Sequence, residues 1–384
     1  MSFDFITTPR IIFGLGRIRE IGSISIPFGR RVLIFSSKGG ASITNLLDIL
    51  KTAGLECEVM EVEGEPTVDM IRLGVAFAKK IKCDLIIGFG GGSVIDTGKA
   101  VSVMLTNPGE VEDYLEVVGK NQTVTQTALP MIAIPTTAGT GCEVTRNAVL
   151  VVPQKKVKVS LRSPLLLPRV ALIDPELTFT VPPEVTAATG MDALAQVLEP
   201  YVSIRSNSFT DLFCREGMAR AACSLRQAFY KGDDQQAREN MAFTSLMGGL
   251  ALANAGLGAV HGFAAPIGGM YNAPHGAVCA RLLPPVVSVN VRALKKQGSD
   301  HPALERYQEV AKMLTGNQEA KIEDGIEWLE QLCRDLQIPP LSWYGMSQES
   351  IPELVVKAAR TSSMKGNPVQ LTEEELKDIL NMAL

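Results

Sequence analysis

The stretch Asp84-Leu-Ile-Ile-Gly88-Phe-Gly90-Gly91-Gly92-Ser93-Val-Ile-Asp96 decides the fold: an apolar run of strand length passes into consecutive glycines and a serine, then into a helix-like segment from Thr97 to Met104. Glycines lack a Cβ, so their backbone N–H groups can approach phosphate oxygens closely, and the helix N-terminus behind them adds partial positive charge. Two readings fit: a cradle for a dinucleotide pyrophosphate built from Gly90, Gly91, Gly92, Ser93 and Asp96, or a tight turn with no ligand. The position after a strand and ahead of a helix favours the cradle.

Working outward, short β-branched runs alternate with helical segments through the first half. Strands are expected at 31–37, 57–63, 84–91, 130–135, 147–152 and 169–174, with helices through Asp48 and Leu50 and up to Lys82. Strand–helix alternation marks a parallel sheet with helices on its faces. From about Val181 the apolar spacing becomes 3.6-fold, and helices are expected at 207–230, 235–255, 302–315, 319–335 and 349–360. Asp174-Pro175 and Val181-Pro182-Pro183 punctuate the change. The reading is therefore an α/β Rossmann-like nucleotide domain (1–179) followed by an all-α helical domain (180–384), with the cleft between them as the natural ligand site.

Composition narrows the function. At 384 residues with 46% apolar content, the chain has material for two cores, and a net charge of −4 without like-charge blocks makes nucleic acid an unlikely partner. Seven scattered cysteines without a Cys-x-x-Cys pair fit reduced thiols, and no secretory signal is visible, so a cytoplasmic location is expected. Ser245 to Tyr271 carries no Asp, Glu, Lys or Arg, but its glycines, Asn254, His261 and Pro266 argue against a membrane span. A helix buried on all sides, or two helices broken near Gly256 and Gly258, explains it better.

A second loop, Ile134-Pro-Thr136-Thr137-Ala-Gly-Thr140-Gly-Cys-Glu-Val-Thr145, follows another strand; it reads either as a lining for the nicotinamide ribose and phosphates or as a Thr/Gly-rich surface loop. Of three histidines, His301 reads as solvent-exposed, while His261 and His275 lie close together in HGFAAPIGGMYNAPHG. A lone histidine in an apolar run is more often a hydrogen-bonded core residue than a ligand. Asp192 raises the odds, although an N-cap is its bland explanation. One carboxylate and two imidazoles make a three-ligand site with a position open for a substrate oxygen.

These segments resemble, in order and over nearly the whole chain, the iron-containing (group III) alcohol dehydrogenase family: PRIIFGLG (9–16), GGGSVID, IPTTAGTGCEVT, SPLLLPRVALIDPELT (163–178), TGMDAL, and HGFAAP to PHGAV. The resemblance implies a dehydroquinate synthase-like architecture, a homodimer, and NAD(P)-dependent, metal-assisted hydride transfer between a primary or short-chain alcohol and its aldehyde or ketone. It implies an Fe²⁺ or Zn²⁺ site at Asp192, Gln196, His261 and His275, with the two histidines serving catalysis, and a cofactor-side lysine at Lys158.

Three departures stand out. Gln196 replaces a histidine ligand, and a neutral amide is the poorer donor for such metals. Ala265 stands where many members carry a proton-moving histidine. Ser37-Lys38 stands where NAD-preferring members often place an Asp, so NADP(H) is favoured over NAD(H); the plain alternative is a polar turn without selectivity. Three rival functions remain at this level: a metal-independent NAD(P)H reductase on the same fold, a non-redox NAD-dependent cyclase related to dehydroquinate synthase, and a non-catalytic nucleotide-binding protein.

Overall fold

The computed structural model describes residues 2–38, 43–155, 157–271 and 273–384. The chain divides into two compact units. One comprises Ile6–Thr137 and Gly141–Val181; the other comprises Pro182–Leu384 together with the N-terminal segment through Phe5 and the short piece Ala138–Thr140.

The first unit contains strands β1 (Ile11–Phe13), β2 (Arg31–Ser37), β3 (Glu56–Val62), β4 (Leu85–Gly90), β5 (Met131–Pro135), β6 (Asn147–Val152), β7 (Val157–Arg162) and β8 (Val170–Ile173). Its helices are α1 (Ile21–Ser25), α2 (Thr44–Thr52), α3 (Val68–Lys80) and α4 (Gly92–Met104). Six strands form a parallel sheet in the order β1-β8-β5-β4-β2-β3. Both faces are covered, so the central strands are apolar throughout instead of alternating. Leu33, Phe35 and Ile86 enter one core cluster, while Val32, Ile34, Leu85 and Ile87 enter the other.

The chain leaves β2 for β3 on one side and returns for β4 on the other. The carboxyl ends of β2 and β4 therefore meet at a point of reversal, where open α/β sheets hold their ligands. Strands β6 and β7 form an antiparallel hairpin. Asp96 anchors it by accepting from the Val149 amide at 2.9 Å, and Lys99 donates to the Asn147 carbonyl at 2.9 Å.

The helical unit runs through α5 (Pro183–Val202), α6 (Ser208–Tyr230), α7 (Gln235–Ala255), α8 (Ala259–Tyr271), α9 (His275–Gln297), α10 (Pro302–Thr315), α11 (Ile322–Asp335), α12 (Ile351–Ala359) and α13 (Glu373–Ala383). Helix α5 is buried without a break from Gly190 to Val202, so any charge on that stretch needs a partner inside the protein. The uncharged run Ser245–Tyr271 is two helices, α7 and α8, bent by 100° at the break. Helix α9 is long and apolar enough to cross a membrane, but 83% of that window is buried inside the protein.

His301 differs from its expected solvent role. It starts α10, its Nδ1 accepting from the Ala303 amide at 3.2 Å.

Candidate active site

The α/β unit carries a pocket of about 290 Å³ at the carboxyl ends of β2 and β4. Ser37, Lys38, Glu63, Gly91, Gly92 and Ser93 line it. Gly91 caps α4, and the first helical turn leaves the N–H groups of Gly92 and Ser93 without an intrahelical acceptor. Gly90 has to be glycine for packing: a Cβ there would lie 2.6 Å from Val94 Cγ2 and 2.8 Å from Ser37 Oγ.

Other cofactor candidates have partners within this unit. Asp96 gives one oxygen to the Val149 amide and lies 3.4 Å from Lys99 through the other. Lys158 is paired with Glu65 at 2.7 Å, and Lys38 reaches Glu63 at 3.3 Å. The Thr136 amide donates to the Gly90 carbonyl at 3.0 Å, tying β5 to the glycine loop. Thr137 Oγ1 would lie 3.4 Å from a Cβ at Gly91. Thr140 falls in the short segment assigned to the helical unit.

In the helical unit Asp192 is well inside α5, so it is a core carboxylate and not an N-cap. Its Oδ1 lies 3.2 Å from His261 Nε2 and 3.8 Å from His275 Nε2, yet it makes no hydrogen bond of good geometry. Cys279, one turn beyond His275 on α9, completes a group of four donor atoms that all lie within 4.8 Å of one another. Gln196 is one turn beyond Asp192, and its amide nitrogen donates to the Gly139 carbonyl at 2.8 Å.

Local structure explains the convergence. Glu199 Oε1 accepts from the Val260 amide at 2.7 Å and Asn367 Oδ1 from the Ala259 amide at 3.2 Å, together capping α8. Glu199 Oε2 meets His261 Nδ1 at 2.7 Å. At the start of α9, Gly276 lies so close to α5 that a Cβ would stand 2.6 Å from the Ala188 carbonyl oxygen.

Electrostatics point the same way. Burial pushes the Asp192 carboxyl up, but the imidazoles of His275 and His261 outweigh it and hold the group below the usual carboxylate range. Burial opposes protonation of His261, yet Cys279, Asp192 and Glu199 keep its pKa well above that of a free imidazole. For His275 burial is likewise outweighed, by Cys279 and Asp192, and the pKa rises to about 9. The pocket is built to hold positive charge, and an orphaned carboxylate oxygen facing imidazole nitrogens fits a divalent cation.

Glu199 and Cys279 are the two residues that sequence reasoning overlooked. Glu199 shares a helical face with Asp192 seven residues earlier, and Cys279 follows His275 by four; both spacings were the available signal.

A parallel α/β unit with a glycine loop, and a helical unit with an Asp/His/His/Cys cluster that could hold a metal ion, have the make-up of an oxidoreductase of the α/β-plus-helical type. Residues 8–175 match the family model for iron-containing alcohol dehydrogenase, and residues 186–384 match its C-terminal model. The chain belongs to the iron-containing alcohol dehydrogenase family. It is 34% identical over 390 residues to 1,3-propanediol dehydrogenase of Klebsiella pneumoniae, covering 99% of this chain and 98% of that one. Among solved structures, a 1,3-propanediol oxidoreductase superposes with a TM-score of 0.93 at 33% identity, with full coverage of both chains. A sulfoacetaldehyde reductase from Bifidobacterium kashiwanohense, solved with NAD⁺, gives 0.87 at 27% identity, covering 100% of this chain and 99% of that one. The family match selects alcohol–aldehyde redox chemistry from the readings the sequence left open: this chain is a nicotinamide-dependent alcohol dehydrogenase or aldehyde reductase.

Proposed function

We propose that the chain interconverts a short primary alcohol and its aldehyde, with a divalent cation held by Asp192, His261 and His275 and a nicotinamide dinucleotide seated along Ser37, Lys38 and the Gly91–Ser93 turn. The observation that carries this reading is Asp192 Oδ1, buried, without a hydrogen bond, and facing two imidazole nitrogens. When bound, the cation supplies Lewis acidity toward the substrate oxygen and the dinucleotide supplies the hydride acceptor.

The chain's own residues do the positioning. Asp192 brings the compensating negative charge, and Glu199 holds the proton on His261 Nδ1 so that Nε2 can present its lone pair. Gly92 and Ser93 offer backbone N–H groups to the pyrophosphate. Ser37 puts a hydroxyl where a carboxylate would repel a 2′-phosphate, and Lys38 attracts one while Glu63 works against it. This supports use of NADP(H) as well as NAD(H). Solvent reaches the cluster at His275, whose side chain is 36% exposed against 2% for Asp192. With alanine at 265, the alcohol proton leaves through water on that side.

The test is elemental analysis of the purified wild type and Asp192→Asn, alongside NADH and NADPH oxidation across a panel of short aldehydes. The reading expects metal and turnover in the wild type and loss of both in the variant. A variant that keeps both, or a metal-free wild type with full turnover, would replace it with the metal-independent reductase.

A further inference from the structure

We propose that the thiolate of Cys279, not the amide of Gln196, is the fourth protein ligand of the divalent cation. The inference rests on the metal reading above and deepens it. Cys279 is fully buried, and its Sγ lies 3.6 Å from His275 Nε2 and 3.8 Å from His261 Nε2. Those same nitrogens lie 3.8 and 3.2 Å from Asp192 Oδ1. A tetrahedral ion with ligand bonds of about 2.0–2.3 Å keeps its ligands roughly 3.3–3.6 Å apart. Four of the six donor–donor separations thus stand close to the edges such an ion requires, and the other two lie within 4.8 Å.

A second observation marks the centre as a ligand position: Asp192 Oδ1, buried and unpartnered, points into the same group. Gln196 spends its amide nitrogen on the Gly139 carbonyl at 2.8 Å, and the donor left to it is a neutral amide oxygen, a weaker ligand for such an ion than a thiolate. A cysteine that served packing alone would gain nothing from placing sulfur against two imidazole nitrogens and a carboxylate. On binding, the S–H bond is replaced by a sulfur–metal bond, and the proton passes to bulk solvent with no change of oxidation state. Sulfur is softer than an amide oxygen, so its entry biases the site toward zinc over Fe²⁺.

The test uses the full-length protein, stripped of metal and loaded with Co²⁺ or Zn²⁺. The cobalt protein is expected to show a near-ultraviolet thiolate-to-cobalt charge-transfer band that is lost in Cys279→Ser and retained in Gln196→Ala. X-ray absorption of the wild-type zinc protein needs no variant, and it should show one sulfur at about 2.3 Å. A purely nitrogen and oxygen shell, or a charge-transfer band unchanged in Cys279→Ser, overturns the inference while leaving the metal site itself standing. A wild type that binds neither ion overturns both.

Discussion

The carboxylate of Glu199 joins two elements of the site at once: one oxygen accepts from the Val260 amide at 2.7 Å and caps α8, and the other meets His261 Nδ1 at 2.7 Å. A carboxylate can only accept, so the ring must carry its proton on Nδ1 and turn Nε2 toward Asp192. The cap and the tautomer are set by the same side chain, which is 3% exposed.

Glu199→Gln separates these tasks. The amide oxygen can still cap α8, but the amide nitrogen donates to Nδ1 and drives the ring proton to Nε2, where the lone pair is needed. Divalent-metal affinity is expected to fall on the order of 10–100-fold, with little change in melting temperature. A competition titration against a chromophoric chelator measures it, and unchanged affinity would remove Glu199 from the positioning scheme.

Gly276→Ala tests the contact between α9 and α5. The new methyl would sit 2.6 Å from the Ala188 carbonyl oxygen, which is backbone and cannot rotate away. The start of α9 must shift, taking His275 with it. The variant is expected to lose about 1–3 kcal/mol of stability and to retain less metal than wild type. Normal melting together with full metal content would show that α9 reaches its place by another route.

How much of this was legible in the sequence depends on whether local pattern or distant packing does the work. Strand β2 was expected at 31–37 and occurs there, because a strand covered on both faces is an unbroken β-branched run. Strand β7 was not anticipated although its signal is local: Val157, Val159 and Leu161 alternate with Lys158, Ser160 and Arg162, the period of two expected of a half-buried strand paired with β6. Asp192 heads the apolar run Ala-Leu-Ala-Gln196, which suggests an N-cap, yet the poor helix formers Thr186, Thr189 and Gly190 before it are helical too. Burial overrides that propensity, and α5 starts at Pro183. Cys279 looked like an inert thiol, since nothing in the sequence tells that α9 brings it beside Asp192 and His261.

On the proposed seating of the dinucleotide, cofactor preference turns on opposed charges at the rim of the α/β pocket. Lys38 and Glu63 stand 3.3 Å apart and are both well exposed, so their effect on a 2′-phosphate is screened. Lys38→Ala is expected to lower the NADPH/NADH ratio of kcat/KM, and Glu63→Gln to raise it. Each change should be about fivefold, corresponding to roughly 1 kcal/mol for an exposed charge near 4 Å. Both shifts should shrink in high salt. Ratios that do not move would place the adenosine ribose away from this pair.

Glu143 gives a pH dependence independent of the metal cluster. It is 2% exposed, and burial pushes its carboxyl from 4.5 up to about 7, against its own backbone amide and the Lys99 ammonium. Between those values the folded chain holds a proton that the unfolded chain has released, so stability falls as pH rises through the window. The full cost is reached above pH about 7 and is on the order of 3 kcal/mol at 1.36 kcal/mol per unit. Glu143→Gln carries no such charge. Whatever its stability at pH 5, its difference from wild type should grow in the variant's favour by that order between pH 5 and pH 8. Denaturant melts at both pH values read this directly, and parallel curves for the two proteins would mean that Glu143 ionises in the fold as it does in the open chain.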